Sequence, residues 1–379
     1  MRGNADARGS EAAPSARLRL FLDGTPLVAE TGGIRRYVEE LALALAQAGT
    51  GDEVHLVSDQ ALPANPRLEA GGVRLHRASA RGWNRRWWLV GLPRACGRMG
   101  ASVFHGTDFA VPYLHTTPAV LTIHDLSPWK QASWQPEATR IRQRTPWMLR
   151  LGLADEVITV SKTVRQEVLE HFSISPERVH AIPLAADARF RPVALDRTSA
   201  PYFLFVGTME PRKNLPALIH AWRPVFEELQ IPLKVAGRRR RDFELPAELP
   251  ADLPGLEWLG AVEDEALPGL YSGALAVVYP SEYEGFGLPV LEAMQCGAAV
   301  VTGTAAALRE VAGEAAVQVS AKDTGALRTI LRRFATDAAW RREWSLRSLQ
   351  RAAAFSWAAT AAATRAVYLE AIHRFARKA

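Results

Sequence analysis

The sequence has little cysteine. Its 379 residues include two, Cys96 and Cys296, far apart in the chain. A disulfide framework is thereby excluded, neither cysteine has a partner at metal-ligand spacing, and a reducing compartment fits best. Long apolar runs are also missing. Nothing approaches the roughly 18 continuous apolar residues that a membrane-crossing helix needs. The first sixteen residues, MRGNADARGSEAAPSA, lack the apolar core of a signal peptide and are expected to be a disordered lead-in over 1–16. There is no D-x-D pair and no cluster of metal ligands, so no resident metal or other cofactor is expected. No nucleic-acid-binding module is present, and a net charge of +6 does not by itself argue for nucleic acid. That charge suits phosphorylated ligands or an anionic lipid surface. The expected location is cytoplasmic, with room for peripheral contact on the inner face of a membrane.

What is present is an ordinary globular composition, 48% hydrophobic and 23% charged, in a length that implies two or three domains. Short apolar segments recur at strand–helix spacing: Arg17 to Leu22, Glu53 to Val57, Val73 to Arg77, Ser102 to His105, Ala119 to Ile123, Glu156 to Val160 and Val179 to Ile182. Helical stretches lie between them, so an α/β chain with mostly parallel sheets covered on both faces is expected. Residues 17–192 read as one Rossmann-like domain. A Pro-containing exit, Pro183 to Pro201, leads to a second such domain over 193–355, with strands at Tyr202 to Val206, Pro232 to Ala236, Leu256 to Leu259, Leu275 to Tyr279 and Ala298 to Val301. An Ala-rich amphipathic helix closes the chain over 356–379.

The stretch from Tyr279 to Gly303, YPSEYEGFGLPVLEAMQCGAAVVTG, has the parts of an anion site. A strand runs into a loop with Gly285 and Gly287, and Pro289 then suits the first turn of a helix that Gly297 stops. Glycines let backbone N–H groups come close to a ligand, and the helix N-terminus adds positive potential. Two carboxylates, Glu284 and Glu292, frame the loop. Because acids repel phosphate, they are better suited to reading hydroxyl groups of a sugar or ribose. A second candidate, Gly207 to Asn214, also follows a strand: Gly207 permits close approach, and Arg212 and Lys213 supply charge for a diphosphate. In the first half, ligands are expected beyond the C-terminal strand ends. Gly32-Gly33, His105 and His124-Asp125 fall there, His124 being the most informative and His105 standing evenly between packing and function. Asp125 either orients His124 or touches an acceptor.

Aromatic residues concentrate in RGWNRRWWLVGLPRACGR, where Trp83, Trp87 and Trp88 sit among arginines as an interfacial lipid patch or as core residues. Trp129, Trp134 and Trp147 fall where acceptor recognition is expected. The run Arg238 to Arg241 reads first as a solvated loop, with a lipid or phosphate role as the lesser alternative.

EGFGLPVLEAM resembles the E-x7-E signature of retaining GT-B-fold glycosyltransferases, in particular the large bacterial family 4. The resemblance extends from about residue 17 to the end. GG-I-R-RY at Gly32 to Tyr37 is similar to the family loop that approaches the donor diphosphate, TIHDLS to the stretch whose His contacts the donor sugar or sits near the reacting centre, and VGTMEPRKN to the phosphate-binding G-T-x-E-P-R-K-N. It implies two Rossmann-like domains facing a central cleft, with the last helix crossing back to the N-terminal, acceptor-binding domain. It further implies that His124, Arg212, Lys213 and Glu284 carry catalysis, and that Gly33, Gly207, Glu210, Gly285, Phe286, Gly287, Leu288 and Glu292 bind the donor. Glu284 would contact the sugar, Glu292 the ribose and Glu210 the basic pair, and the base would be read near Leu259-Gly260. Thr208 replaces an Arg found in some members, and Thr304 to Val311 is less polar than in relatives. By resemblance to bacterial O-antigen and exopolysaccharide mannosyltransferases, the donor is GDP-mannose and the acceptor a saccharide carried on lipid at the inner membrane face. UDP-glucose, UDP-N-acetylglucosamine and dTDP-rhamnose stay open. A GT-B nucleotide-sugar epimerase, which would turn over nucleotide sugar without acceptor, and a non-catalytic two-domain binding protein are the competing readings.

Overall fold

The computed structural model describes residues 17–29, 32–77, 86–131, 134–135, 137–194, 200–240, 243, 245–246, 252–320 and 322–378. The expected lead-in over 1–16, Trp83 of the aromatic stretch and Arg241 of the arginine run lie outside the described residues.

The first half alternates β1 (Arg19–Asp23), α1 (Gly33–Ala46), β2 (Glu53–Ser58), α2 (Pro66–Ala70), β3 (Arg74–Arg77), α3 (Leu92–Met99), β4 (Val103–Gly106), β5 (Ala119–Ile123), α4 (Ser127–Lys130), α5 (Thr139–Arg150), β6 (Glu156–Thr159), α6 (Lys162–His171) and β7 (Val179–Ala181). Among the described residues its seven strands form one sheet in the order β3-β2-β1-β4-β5-β6-β7, and every pairing is parallel. The second half runs β8 (Tyr202–Val206), α7 (Leu215–Leu229), β9 (Leu233–Ala236), β10 (Leu256–Gly260), α8 (Leu267–Gly273), β11 (Ala274–Tyr279), α9 (Leu288–Gln295), β12 (Val300–Thr302), α10 (Ala306–Ala312), β13 (Val317–Gln318), α11 (Thr324–Thr336), α12 (Ala338–Ala352) and α13 (Trp357–Ala376). Its six strands among the described residues are again parallel, in the order β10-β9-β8-β11-β12-β13.

Parallel strands need crossovers, and the crossover helices cover both faces, so central strands are apolar throughout rather than alternating. Every residue of β5 (AVLTI) and β8 (YFLFV) is buried. Local chemistry agrees with these boundaries. Ser161 caps α6 by accepting the Val164 N–H at 3.1 Å, Pro289 lies in the first turn of α9, and Gly297 leaves that helix at a φ of 74°.

The exit from the first sheet is not a free tether. Leu184, Ala186, Asp187 and Phe190 are buried, Asp187 pairs with Arg67 and Arg189, and Phe190 meets Tyr271 edge-on. Apolar residues in that stretch have core to fill, which holds them down. Trp87 is likewise core, packed with Phe21, Val57 and Phe104, so it is not available to a lipid surface.

After the second sheet is complete, α13 returns to the first and packs on α1 and on β4 to β6. Arg365 Nε meets Asp52 Oδ2 at 2.6 Å, Lys378 Nζ meets Asp155 Oδ1 at 2.9 Å, and Arg374 pairs with the buried Glu156. In the interior, Tyr368 Oη lies 2.7 Å from His105 Nδ1, and Thr122 Oγ1 lies 2.7 Å from His105 Nε2. Burial pushes the His105 imidazole down to about 3, so it stays neutral and structural.

Tyr368→Phe leaves one nitrogen of that buried ring without a partner, at a cost of about 1–3 kcal/mol. The expected result in calorimetric melting is a lower Tm for the transition of the first domain; an unchanged Tm would show that the α13 contact is not a determinant of stability.

Candidate active site

Strand order reverses in each sheet at one place, between β1 and β4 in the first and between β8 and β11 in the second. Loops leaving strands on either side of such a point diverge and open a crevice at the C-terminal edge. Here the two crevices share one cleft of about 390 Å³. All twelve site residues expected from the sequence line it: Gly33 and His124 from the first sheet's loops, and Gly207, Glu210, Arg212, Lys213, Glu284, Gly285, Phe286, Gly287, Leu288 and Glu292 from the second.

The second domain supplies the charge. Arg212 Nε donates to Glu210 Oε2 at 2.8 Å, and its Nη1 reaches both Glu284 Oε2 and the Tyr283 carbonyl at 2.8 Å. Burial works against the guanidinium charge, but Glu284 and Glu210 outweigh it and keep Arg212 protonated. Glu284 Oε1 accepts from Tyr279 Oη at 3.0 Å and Ser281 Oγ at 3.1 Å. Its burial alone would raise the carboxyl, yet Arg212, Lys213 and these hydrogen bonds hold it below the ordinary carboxylate range. A carboxylate has about four acceptor positions, so the ionised Glu284 retains capacity for a ligand hydroxyl.

Lys213 is placed differently. It is 7% exposed, and among the described residues it forms no ion pair; its ammonium lies 5.8 Å from the Tyr279 ring. Burial pushes its pKa down, with Glu284 and Glu210 opposing and Arg212 adding to the shift. A buried cation without a counter-ion is costly, and a phosphate in the cleft would supply one. Gly207 makes room for it: a Cβ there would come within 2.7 Å of Lys213 Nζ, and its φ of 150° is one that other residues rarely adopt.

Glu292 is 1% exposed. Its Oε1 pairs with Arg36 of α1, which also pairs with Asp264, and its Oε2 accepts from Tyr271 Oη at 3.0 Å. Burial raises this carboxyl above its ordinary value despite Arg36. Arg36 therefore joins the two domains at the position expected to read a ribose. The GG-I-R-RY stretch carried the signal for this residue, but the sequence alone does not say which of its two arginines faces the cleft.

At Gly285 the two halves come into backbone contact. A Cβ on it would lie 1.9 Å from the His124 carbonyl oxygen, and Ser161 Oγ donates to the Gly285 carbonyl at 2.7 Å. His124 Nε2 donates to the Thr107 carbonyl at 2.8 Å, and Tyr37 packs against its ring at 4.9 Å. Burial lowers its pKa, so the ring is neutral with Nδ1 as the unprotonated nitrogen, suited to accept from a hydroxyl. Asp125 also lines the cleft; its Oδ1 accepts from Ser127 N at 2.9 Å and Ser127 Oγ at 2.6 Å, and among the described residues no hydrogen bond joins it to His124.

Other expectations fall less neatly. Gly260 O is taken by Gly237 N at 2.7 Å, and it is Ala261 and Val262 that line the cleft. In the arginine run, Arg238 lines the cleft and Arg240 reaches the Trp134 carbonyl of the other domain, so the loop is more than a solvated one. Trp134 in turn stacks on Tyr283 at 5.5 Å. Tyr283 bridges the halves, accepting from Leu126 N and donating to Glu167 Oε2, both at 2.7 Å. Glu156, His180 and Glu370 form a group with metal-ligand spacing among the described residues, which the sequence could not reveal because the three come from separate elements. None of them lines the cleft.

Known proteins resemble this chain in both halves. The family described as "Glycosyltransferase Family 4" matches residues 31–190, and "Glycosyl transferases group 1" matches residues 200–337. The chain is 33% identical over 271 residues to O-antigen chain mannosyltransferase B of Escherichia coli, covering 67% of this chain and 71% of that protein. It is 34% identical over 226 residues to serotype-specific mannosyltransferase WbdA of Escherichia coli, which covers 55% of this chain and spans 28% of that protein's length. The fold matches sucrose-phosphate synthase from Thermosynechococcus elongatus with a TM-score of 0.74 at 23% identity, over 93% of this chain and 98% of that one. Two family profiles in order, and a relative one third identical across most of its length, lead to one assignment: the chain belongs to the GT-B-fold glycosyltransferases of family 4.

Proposed function

We propose that this glycosyltransferase moves mannose from GDP-mannose, with retention of configuration and without a metal, to a saccharide carried on lipid at the inner face of the membrane. The observation that carries the donor reading is Lys213, a nearly buried ammonium with no ion pair among the described residues, beside Gly207 in the interdomain cleft. Mannose rests on the printed names of the relatives, two of which are O-antigen or serotype-specific mannosyltransferases. Domain roles follow the same reading: the first domain takes the acceptor and the second the nucleotide sugar.

In the reaction, the acceptor hydroxyl oxygen bonds to the anomeric carbon as the anomeric C–O bond to the diphosphate breaks, and the hydroxyl proton passes to the departing phosphate oxygen. Negative charge grows on the diphosphate. Lys213, the N–H groups around Gly287 at the start of α9, and Arg212 are the groups placed to stabilise it. Arg212 also acts by holding Glu284 ionised, so that Glu284 accepts from sugar hydroxyls. His124, neutral, accepts from another hydroxyl through Nδ1. Glu292 reads the ribose with the acceptor capacity that Arg36 and Tyr271 leave. Tyr283, Gly285 and Arg36 keep the domains together and water out.

Lys213→Ala and Glu284→Ala are each expected to abolish transfer from a radiolabelled nucleotide sugar while the circular dichroism spectrum is kept; full transfer by either would sink the site. Because the Lys213 pKa is depressed, its charge is lost earlier than an ordinary lysine's as pH rises. Nucleoside diphosphate affinity, measured by calorimetry between about pH 7 and 10, should therefore fall toward the alkaline end, and Lys213→Arg should flatten that fall. Gly285→Ala places a methyl group against the His124 carbonyl and should cut kcat by at least about ten-fold through failed closure, with nucleotide binding to the second domain retained. A wild-type kcat in that variant would remove the close approach from the mechanism.

A further inference from the structure

The first domain has a second concavity, a groove of about 1030 Å³ between α5, the π-helical turn at Trp87–Gly91 and the end of β2. Its walls combine aromatic faces with hydrogen-bonding groups: Tyr113 and Trp147 on one side, and Thr25, Asp59, Gln143 and Arg144 around them. Trp147 is 51% exposed, an unusual position for an indole on a helix whose neighbours Met148 and Leu149 are core. Tyr113 meets it edge-on at 6.0 Å. The frame is firm: Thr145 Oγ1 donates to the Phe109 carbonyl at 3.0 Å, and Tyr113 N donates to the Trp88 carbonyl at 2.8 Å.

Two buried polar atoms have no hydrogen-bond partner among the described residues, Arg144 Nε on a groove-lining residue that also stacks over Trp88 at 5.5 Å, and Asp108 Oδ1 on a residue that does not line the groove. Arg144 lines the groove and its charge acts on Asp108. The groove also adjoins the catalytic cleft. Thr25 Oγ1 donates to Asp23 Oδ1 at 2.6 Å, Thr107 Oγ1 to the Asp23 carbonyl at 2.8 Å, and His124 Nε2 to the Thr107 carbonyl at 2.8 Å. Three hydrogen bonds thus link the groove wall to the cleft along the C-terminal edge of one sheet.

We propose that this groove binds the saccharide part of the acceptor, namely the sugar units behind the one whose hydroxyl enters the cleft. Pyranose rings present flat C–H faces, which pack on exposed aromatic rings, and hydroxyl edges, which both donate and accept. Carboxylate, carboxamide and guanidinium groups together serve such edges. Arg86, Arg140 and Arg144 line the groove with Asp59, so its charge is net positive, and an anionic lipid surface is the competing occupant that the vesicle measurement below separates. The inference rests on the transferase reading above and deepens it by placing the acceptor.

The test uses the full chain on an array of oligosaccharides of hexoses, 6-deoxyhexoses and N-acetylhexosamines, with GDP and UDP binding followed in parallel by calorimetry. Wild-type protein is expected to bind a subset of the glycans. Trp147→Ala and Gln143→Ala, both at exposed positions, should each weaken that binding by about ten-fold or more and leave nucleotide affinity unchanged. No glycan bound by the wild type, or undiminished binding in both variants, overturns the proposal. So does a Trp147→Ala variant that keeps glycan binding and loses only its sedimentation with phosphatidylglycerol vesicles, since the surface would then be a lipid contact. Glycan binding that depends on Trp147, in a chain that binds neither nucleotide, upholds the groove and sinks the GDP-mannose reading instead.

Discussion

The two sheets must present their C-terminal edges to one another at backbone contact distance, and the rest of the molecule accommodates that demand. The contact falls at Gly285, where even a methyl group would overlap the His124 carbonyl. Around it the halves are joined by groups that need close registration: Ser161 to the Gly285 carbonyl, Arg36 to Glu292 and Asp264, and Tyr283 to Leu126 and Glu167. Side chains long enough to span a wider gap would leave the cleft wet and its charges weak. With backbone against backbone, the charges act in a low dielectric.

That setting explains the unequal treatment of the two basic residues. Arg212 is satisfied by two carboxylates and a carbonyl, so its charge is spent largely on holding Glu284 ionised and in place. Lys213, one position on, has its charge uncompensated by any ion pair among the described residues. Adjacent residues thus divide into a positioning cation and a ligand cation. The last helix contributes from a distance. By crossing from the second domain to the first, α13 closes the chain over both, and the neutral His105 held by Tyr368 stiffens the same strand ends from which Thr107 and His124 project.

Much of this was legible in the residue order. Strands such as AVLTI and YFLFV announce themselves because burial on both faces removes the polar alternation. Loops that must approach a ligand need glycine, and those that must bind an anion need Arg, Lys or a helix start; these are local requirements and leave local traces at Gly207 to Lys213 and Gly285 to Pro289. Side-chain partners across the interface left weaker traces. His105 and His124 both end strands with similar flanks, yet one is locked between Tyr368 and Thr122 and the other lines the cleft. Trp87 and Trp147 are each tryptophans in arginine-rich surroundings, one core and one half exposed.

Residue order alone settles the two parallel sheets, the order of the loops and the residue types at their tips, because strand burial, helix starts and glycine turns depend on near neighbours. Packing of the two sheets settles which arginine joins Glu292, which histidine faces the cleft, and that Arg144 and Trp147 share an aromatic groove. Those outcomes depend on the distance between groups tens to hundreds of positions apart, which is set when the two sheets pack and is not encoded in any short stretch of chain.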